Sequence, residues 1–258
     1  MQQLDDEEAL KTAALLYQQS ANYFNLIKNN NSFYSNDLTL DLLPETLSLL
    51  TKIMLAQSQE IIYLKAIKSN CISYMNIAKL TAECSDLYTE SNRLISSYVG
   101  LMKKFHKSLS PILDGKQKLY QGLTQYYQAK HDYKEKNIGK SLSRLLKSIE
   151  LLKLAEKCDV KSLNIQNCLN KVLNDYDKIK NENELIYHER LIEFNMLEKI
   201  EKASMAKITL IKDPISKDFN DLFANLYPIR PHNIDIIIGL ILIVLIVILL
   251  LFFVSNKF

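Results

Sequence analysis

The sequence predicts an all-α protein, an elongated stack of antiparallel helices followed by one C-terminal transmembrane helix. Glycine and proline each occur only five times among 258 residues, whereas folds built from strands and tight turns need both residues often. In several long segments the apolar residues recur every three or four positions, which is the spacing of one helix face. A continuous apolar run near the C-terminus is the third observation, and it predicts a membrane span.

The apolar run covers residues 236–254, IIIGLILIVLIVILLLFFV, and contains no charged or strongly polar side chain. A helix of this length rises about 28 Å, close to the roughly 30 Å hydrocarbon core of a bilayer. A linker at residues 228–235 is predicted before it, and residues 255–258 form a short lumenal tail. The sequence therefore predicts a single-pass tail anchor in an endosomal or other endomembrane, with the bulk of the chain in the cytosol.

The first half of the chain predicts three helices. The first extends from Leu4 to Lys28 and opens with acidic residues, which suit the positive end of a helix dipole. Pro44 opens the second helix, because proline is tolerated in a first helical turn. A third is predicted from about Cys71 to Lys104. The predicted core positions are Leu10, Ala14, Tyr17, Ala21 and Phe24, then Leu47, Leu50, Met54, Gln57, Ile61 and Leu64, then Tyr74, Ile77, Leu80 or Thr81, Cys84 and Leu87.

The second half begins with a predicted turn at Pro111, Asp114 and Gly115, because proline and glycine together interrupt helical patterns. Further helices are predicted at residues 116–133, from Ile138 onward, and at residues 161–188. The apolar faces of the last two are Ile138, Leu142, Leu145, Ile149, Leu152 and Ala155, then Leu169, Val172, Tyr176 and Ile179. Residues 191–215 lose this periodicity and are expected to be irregular.

No motif in the chain points to catalysis. The five glycines never cluster, so there is no glycine-rich phosphate loop, and the four histidines lack metal-ligand spacing. Glu189 and Glu193 beside His188 offer an acid–base arrangement, but surface ion pairs at a helix end are far commoner. The net charge of +3 is too small to indicate a partner, and no aromatic–basic pattern favours nucleic acid. We therefore predict an interaction protein with no enzymatic activity, cofactor, metal or small-molecule substrate.

Five segments, in order along the chain, resemble the BRO-one (Alix-like) domain family. The first is EALKTA at residues 8–13. The second is LPETLSLLTKIMLAQSQEIIYLKA at residues 43–66 with AKL at 78–80. The later ones are LSPILDGKQKLYQGLTQYYQAK at 109–130, IGKSLSRLLKSIELLK at 138–153, and NENELIYHERL, KASMAKI and PISKDFNDLF between residues 181 and 223. The resemblance implies a BRO-one/TPR-like helical solenoid over residues 1–227, whose closing segment folds back along the domain.

The resemblance also implies a binding site for the amphipathic C-terminal helix of an ESCRT-III subunit. Matched position by position, its shallow apolar groove uses Ile62 and Leu80. The apolar contact between them falls at Met75 or Asn76, because this chain has one extra residue between Ala66 and Ala78. The charged positions bordering the groove match Lys11 and Glu7, and Tyr187 matches a tyrosine phosphorylatable in animal relatives, with ordinary packing as its alternative role.

The chain also departs from the family pattern. It begins where the family domain is already under way, so the family's N-terminal portion is expected to be absent, and the membrane span stands in place of the domains that follow in Alix-like proteins. We therefore predict a membrane-anchored ESCRT-associated adaptor that acts in endosomal sorting or membrane remodelling. One alternative is a degenerate BRO-one fold that serves another helical partner. The other is a tail-anchored SNARE-like fusion protein, which would require unbroken heptads up to the membrane.

Overall fold

Six helices, each packed against the next in chain order, carry the fold of the described chain. The computed structural model describes residues 2–30, 40–69, 72–97, 103–158 and 164–210. The helices are α1 Gln2–Asn30, α2 Pro44–Lys68, α3 Tyr74–Ser97, α4 Lys103–Lys134, α5 Ile138–Glu156 and α6 Ile165–Glu182. Short 3-10 turns lie at Leu40–Leu42 and Phe194–Met196, a π-helical turn lies at Asn183–Tyr187, and these ranges contain no strand. The all-helical stack predicted from the sequence is confirmed there.

Sequential stacking explains which residues form the core. Helix α2 lies between α1 and α3, so it buries side chains on two sides, whereas the sequence predicts for it one core stripe and a thinner apolar line that includes Leu55 and Ile62. Leu47, Met54 and Ile61 of that stripe are buried, but so are Leu49 and Tyr63 from outside it. The predicted face of α5 is confirmed in full, because all six of its apolar residues are at most 8% exposed. Pro44 opens α2 as predicted.

The predicted turn at Pro111, Asp114 and Gly115 is wrong, because all three residues lie inside the continuous helix α4. A proline within a helix removes one backbone hydrogen bond and costs about 3 kcal/mol. The helix nevertheless continues, since it buries Leu113, Leu119, Tyr120 and Leu123. Burying such side chains yields roughly 1.5–3 kcal/mol each, so tertiary packing outweighs the local cost. Helix α3 ends at Ser97, and Lys104, where its end was predicted, lies in α4.

The chain after α6 turns back along the stack. Helix α6 is shorter than predicted and passes through the π-helical turn to His188, whose φ of 55° lies in the left-handed region and reverses the chain. Residues 188–208, here named the return segment, have no regular secondary structure apart from one 3-10 turn, as the lost periodicity from residue 191 onward predicts. Asn183 fixes the reversal, because its side-chain amide both donates to and accepts from the backbone of Glu189, at 2.9 and 3.0 Å.

The predicted membrane span and the linker before it, residues 236–254 and 228–235, lie outside the described residues. Among the helices that are described, none combines the length and the apolar composition that a membrane crossing requires.

Candidate functional site: the α2–α3 groove and the return segment

Two contacts set the antiparallel register of α1 and α2. Ser58 donates from its hydroxyl to the carbonyl of Ala14 at 3.0 Å, and Lys65 forms an ion pair with Glu7 at 3.1 Å. Seven residues separate the two contact positions on each helix, so the intervening residues pair in order. Ile62 therefore lies at the level of Leu10 and Lys11. The structure thus brings Lys11 and Glu7 of α1 to the same end of the stack as Ile62.

Helices α2 and α3 form the other side of the same region. Gln59 donates to the carbonyl of Leu80 at 3.3 Å, which joins the two helices less than one turn from Ile62. Asn76 precedes Leu80 by four residues and therefore lies on the same side of α3, one turn closer to the connection with α2. Met75 lies one turn before Lys79 in the same way. Ile62, Leu80, Met75 and Asn76 thus converge at the end of the stack where α2 joins α3.

These residues differ in how much surface they offer. Leu80 is only 7% exposed, so it could offer a partner only the edge of its side chain. Ile62 and Met75 are half-buried, and Asn76 is exposed. Lys11 pairs with Glu8 at 3.5 Å and Glu7 with Lys65, and all four side chains are largely accessible at the rim. A buried leucine, two half-buried apolar side chains, one exposed polar side chain and nearby charges of both signs are the exposures expected of the shallow groove that the family resemblance implies.

A partly buried polar cluster, centred two residues before Ile62 on α2, joins three helices. The carboxylate of Glu60 accepts hydrogen bonds from Tyr88 at 2.6 Å and from Lys116 at 2.7 Å. Burial, with the nearby Glu60 charge, raises the pKa of Tyr88 well above its ordinary value, so the phenol remains a proton donor. Helices α2, α3 and α4 are therefore fixed relative to one another by this cluster.

Gln59 was not recognised from the sequence as a central residue, yet its fully buried amide holds the return segment in place. Its nitrogen donates to the carbonyl of Ala203 at 2.8 Å as well as to Leu80. Its oxygen accepts from the backbone N–H groups of Met205 and Ala206 at 3.1 and 3.0 Å. All four hydrogen-bonding positions of the amide are used. A polar residue inside an apolar helix pattern was the only sequence signal of this role.

Further contacts hold the return segment across α5 and α3. The buried Arg144 of α5 donates to the carbonyl of Glu198 at 2.9 Å while it pairs with Asp132 at 2.9 Å. The N–H of Ala203 donates to the carbonyl of Lys79 at 3.0 Å. Two exposed ion pairs add to these, Lys79–Glu201 and Lys202–Asp86, each at 2.6 Å. The hydrogen bond from Lys79 lowers the pKa of the Glu201 carboxyl, and that to Asp86 raises the pKa of Lys202.

The structure does not bring Tyr187 to the groove. Tyr187 ends the π-helical turn after α6, so it follows the last helix of the stack, whereas the expected groove involves α1, α2 and α3. Its side chain is 40% exposed. A separate open pocket of about 310 Å³ lies between α5 and the return segment, lined by Leu146, Lys147, Leu191 and Phe194 among others. Across the described ranges, no group of three or more histidine, cysteine, aspartate or glutamate side chains is placed to hold a metal ion.

Comparison with known proteins identifies the family. The BRO1-like domain model matches residues 1–235. Apoptosis-linked gene 2-interacting protein X 1 of Caenorhabditis elegans is 32% identical over 90% of this chain, and programmed cell death 6-interacting protein of Rattus norvegicus is 33% identical over 88% of it. The chain spans 26% of the length of each of these relatives.

A solved structure of the ALIX BRO1 domain in complex with CHMP4C matches 86% of this chain and 61% of its own chain, with 31% identity and a TM-score of 0.77. The family model and the solved structure thus agree on sequence and on architecture. This chain therefore belongs to the BRO1-like domain family.

Proposed function

We propose that this protein is a membrane-anchored adaptor, without enzymatic activity, that binds the C-terminal amphipathic helix of an ESCRT-III subunit in endosomal sorting or membrane remodelling. The observation that carries the proposal is the position of three residues of the expected groove. Lys11 on α1, Ile62 on α2 and Leu80 on α3 lie at one end of the stack, and the related ALIX BRO1 domain has been solved with CHMP4C.

Recognition would use one apolar face of the incoming helix. Its anchor residues at positions i, i+3, i+4 and i+7 would bury against Ile62 and the accessible edge of Leu80. Asn76 stands where an apolar contact is expected and is exposed, so the partner helix should carry a hydrogen-bonding side chain opposite it, unless Met75 supplies the contact. The rim residues Lys11 and Glu7 would set the orientation of charged partner side chains.

The membrane span at residues 236–254 belongs to the same proposal. It rests on the apolar run in the sequence, whose length matches a bilayer core. Domain 1–227 would then be held at the cytosolic surface by linker 228–235, with residues 255–258 as a lumenal tail. Confinement to a surface raises the effective concentration of a weakly bound partner, which would favour capture of ESCRT-III subunits that assemble there.

A binding titration tests the proposal. The 258-residue chain in lipid nanodiscs would be titrated by calorimetry with the C-terminal helix peptide of an ESCRT-III polymerising subunit from the same organism. We expect micromolar affinity, and we expect Ile62→Asp to weaken it by at least tenfold, because losing an interface anchor typically costs about 1–4 kcal/mol.

Leu64→Asp is the matched control. Leu64 is half-buried like Ile62, but two residues along a helix place it on the opposite side of α2, so this variant controls for damage to packing. Both variants must retain the helical circular dichroism of the wild type. Absence of binding by the folded wild-type chain would refute the proposal. It would favour the alternative that the exposed polar Asn76 supports, a BRO1-like scaffold for a different helical partner.

Tyr187 remains a proposed phosphorylation site, supported by its 40% exposure and by its position in the motif. Its distance along the helix order from the groove means that modification there would act on other contacts than the proposed helix-binding site.

A further inference from the structure

The part of the return segment next to the groove exposes apolar side chains that the fold does not use. Ala206 is buried, at 6% exposure, and packs against the helices, but Met205 is 58% exposed and Ile208 is 41% exposed. Exposed apolar side chains mark a surface that binds a partner where they continue a neighbouring apolar surface, whereas singly scattered ones do not.

The backbone at this point is fixed, so the position of Met205 is determined. The N–H groups of Met205 and Ala206 both donate to the Gln59 amide oxygen, at 3.1 and 3.0 Å. Gln59 lies on the same side of α2 as Ile62 and less than one turn away. Met205 is therefore held beside Ile62, on the side of the stack where the groove opens.

The return segment also has the direction that a wall of the groove requires. It crosses α3 at Lys79 and α2 at Gln59. The groove residues Lys11, Ile62 and Asn76 lie on three successive helices, on the side of this crossing that faces the α2–α3 connection. A helix is about 10–12 Å across with its side chains, so one that rests on Ile62 reaches beyond α2 and meets the neighbouring return segment.

We infer that the return segment forms the second wall of the groove and that Met205, with Ile208 beside it, contacts the amphipathic helix bound there. Ile62 and Leu80 line the floor of this groove, and the hydrogen bonds of the Gln59 amide hold the return segment next to them. Methionine suits this role because its flexible thioether chain adapts to the shape of a partner. The inference rests on the proposed function, since it names a further contact with the same ESCRT-III helix.

The test compares two methionines of the same segment. Met205→Glu in the 258-residue chain, in nanodiscs, should weaken binding of the ESCRT-III helix peptide at least tenfold, and Met205→Leu should retain it within about threefold. Met196→Glu is the matched control, because Met196 is 75% exposed but lies near the α5 crossing, two residues before the carbonyl held by Arg144. It should bind like the wild type.

The possible outcomes distinguish a failure of this inference from a failure of the proposed function. If the wild-type chain does not bind, the proposed function fails and the inference falls with it. If the wild type binds and Ile62→Asp does not, but Met205→Glu binds normally, the result supports helix binding at Ile62 and refutes a contact between the helix and the return segment. Equal losses in Met205→Glu and Met196→Glu would also refute it, because the effect would then be charge on the segment and not contact at Met205.

Discussion

The helical stack and the return segment are held by different kinds of interaction. Helix α5 buries an unbroken apolar face, with Leu145 and Leu152 fully enclosed. The return segment instead leaves several large apolar residues exposed, with Met196 75% and Leu191 52% exposed, and it is held by hydrogen bonds that include those to the buried Gln59 and Arg144 side chains. The comparison shows that the stack gains stability from apolar burial, whereas the position of the segment beside the groove depends on a few polar residues.

The largest effect is expected where a polar residue serves both regions. Arg144→Leu leaves the Asp132 carboxylate buried without its partner and also removes the bond to the Glu198 carbonyl. Breaking a buried ion pair from one side costs about 3–5 kcal/mol, which should appear in the free energy of unfolding measured by urea denaturation. The double variant Arg144→Leu with Asp132→Leu should recover much of the loss. A single-variant cost below about 1 kcal/mol would contradict this role for the ion pair.

Leu145, next to Arg144 in the chain, contributes only apolar packing and therefore provides a contrast with that polar residue. Leu145→Ala should lower the free energy of unfolding by about 3 kcal/mol, because it leaves a cavity in a fully buried site. Limited proteolysis at low urea should cleave the return segment at the wild-type rate, since its polar contacts remain. Faster cleavage confined to residues 198–206 would mean that apolar packing, and not hydrogen bonding, holds the segment.

A smaller and local effect is expected at Gln59. Gln59→Leu removes hydrogen bonds to Ala203, Met205 and Ala206, at a cost of about 2 kcal/mol for the orphaned backbone groups. Because only the segment opens, amide exchange at Met205 and Ala206 should accelerate roughly thirtyfold by mass spectrometry while the helices remain protected. The prediction fails if exchange rises equally in α2 and α3.

The smallest effect is expected at the exposed ion pair between Lys79 and Glu201, whose glutamate side chain is 77% exposed. Lys79→Ala should leave amide exchange at Ala203 unchanged, because its backbone bond to residue 79 remains. The Glu201 carboxyl, whose pKa the Lys79 hydrogen bond lowers, should titrate nearer its ordinary range in an NMR experiment. The ion pair is thus present above the carboxyl titration range and is lost as pH falls. An unchanged Glu201 titration would show that the pair does not form in solution.

The difference between the stack, held by apolar burial, and the return segment, held by polar contacts, also explains which features the sequence could predict. Apolar periodicity identifies elements that are held by apolar burial, which is why the predicted α5 face was correct. The predicted Pro44 start of α2 was also correct, because it followed from the preference of proline for a first helical turn. The helix-breaking rule for proline and glycine failed at Pro111, because the burial of Leu113 and Leu119 outweighed that local preference. Neither signal assigned Gln59, because a buried amide is recognised only when the chain 144 residues later is seen to return to it. The groove residues came from family resemblance, whereas Met205 required the structure.

Photo-crosslinking from α2 tests most directly whether the partner helix binds between α2, α3 and the return segment. A photoreactive amino acid would replace Ile62 or, separately, Leu64 in the 258-residue chain, which would then be irradiated with the ESCRT-III helix peptide. We expect crosslinks from position 62 and none from position 64, which lies on the opposite side of the helix. Met205→Glu should reduce the crosslinks from position 62. Crosslinks from position 64 alone, or equally from both positions, would show that the helix does not bind in the groove between α2, α3 and the return segment.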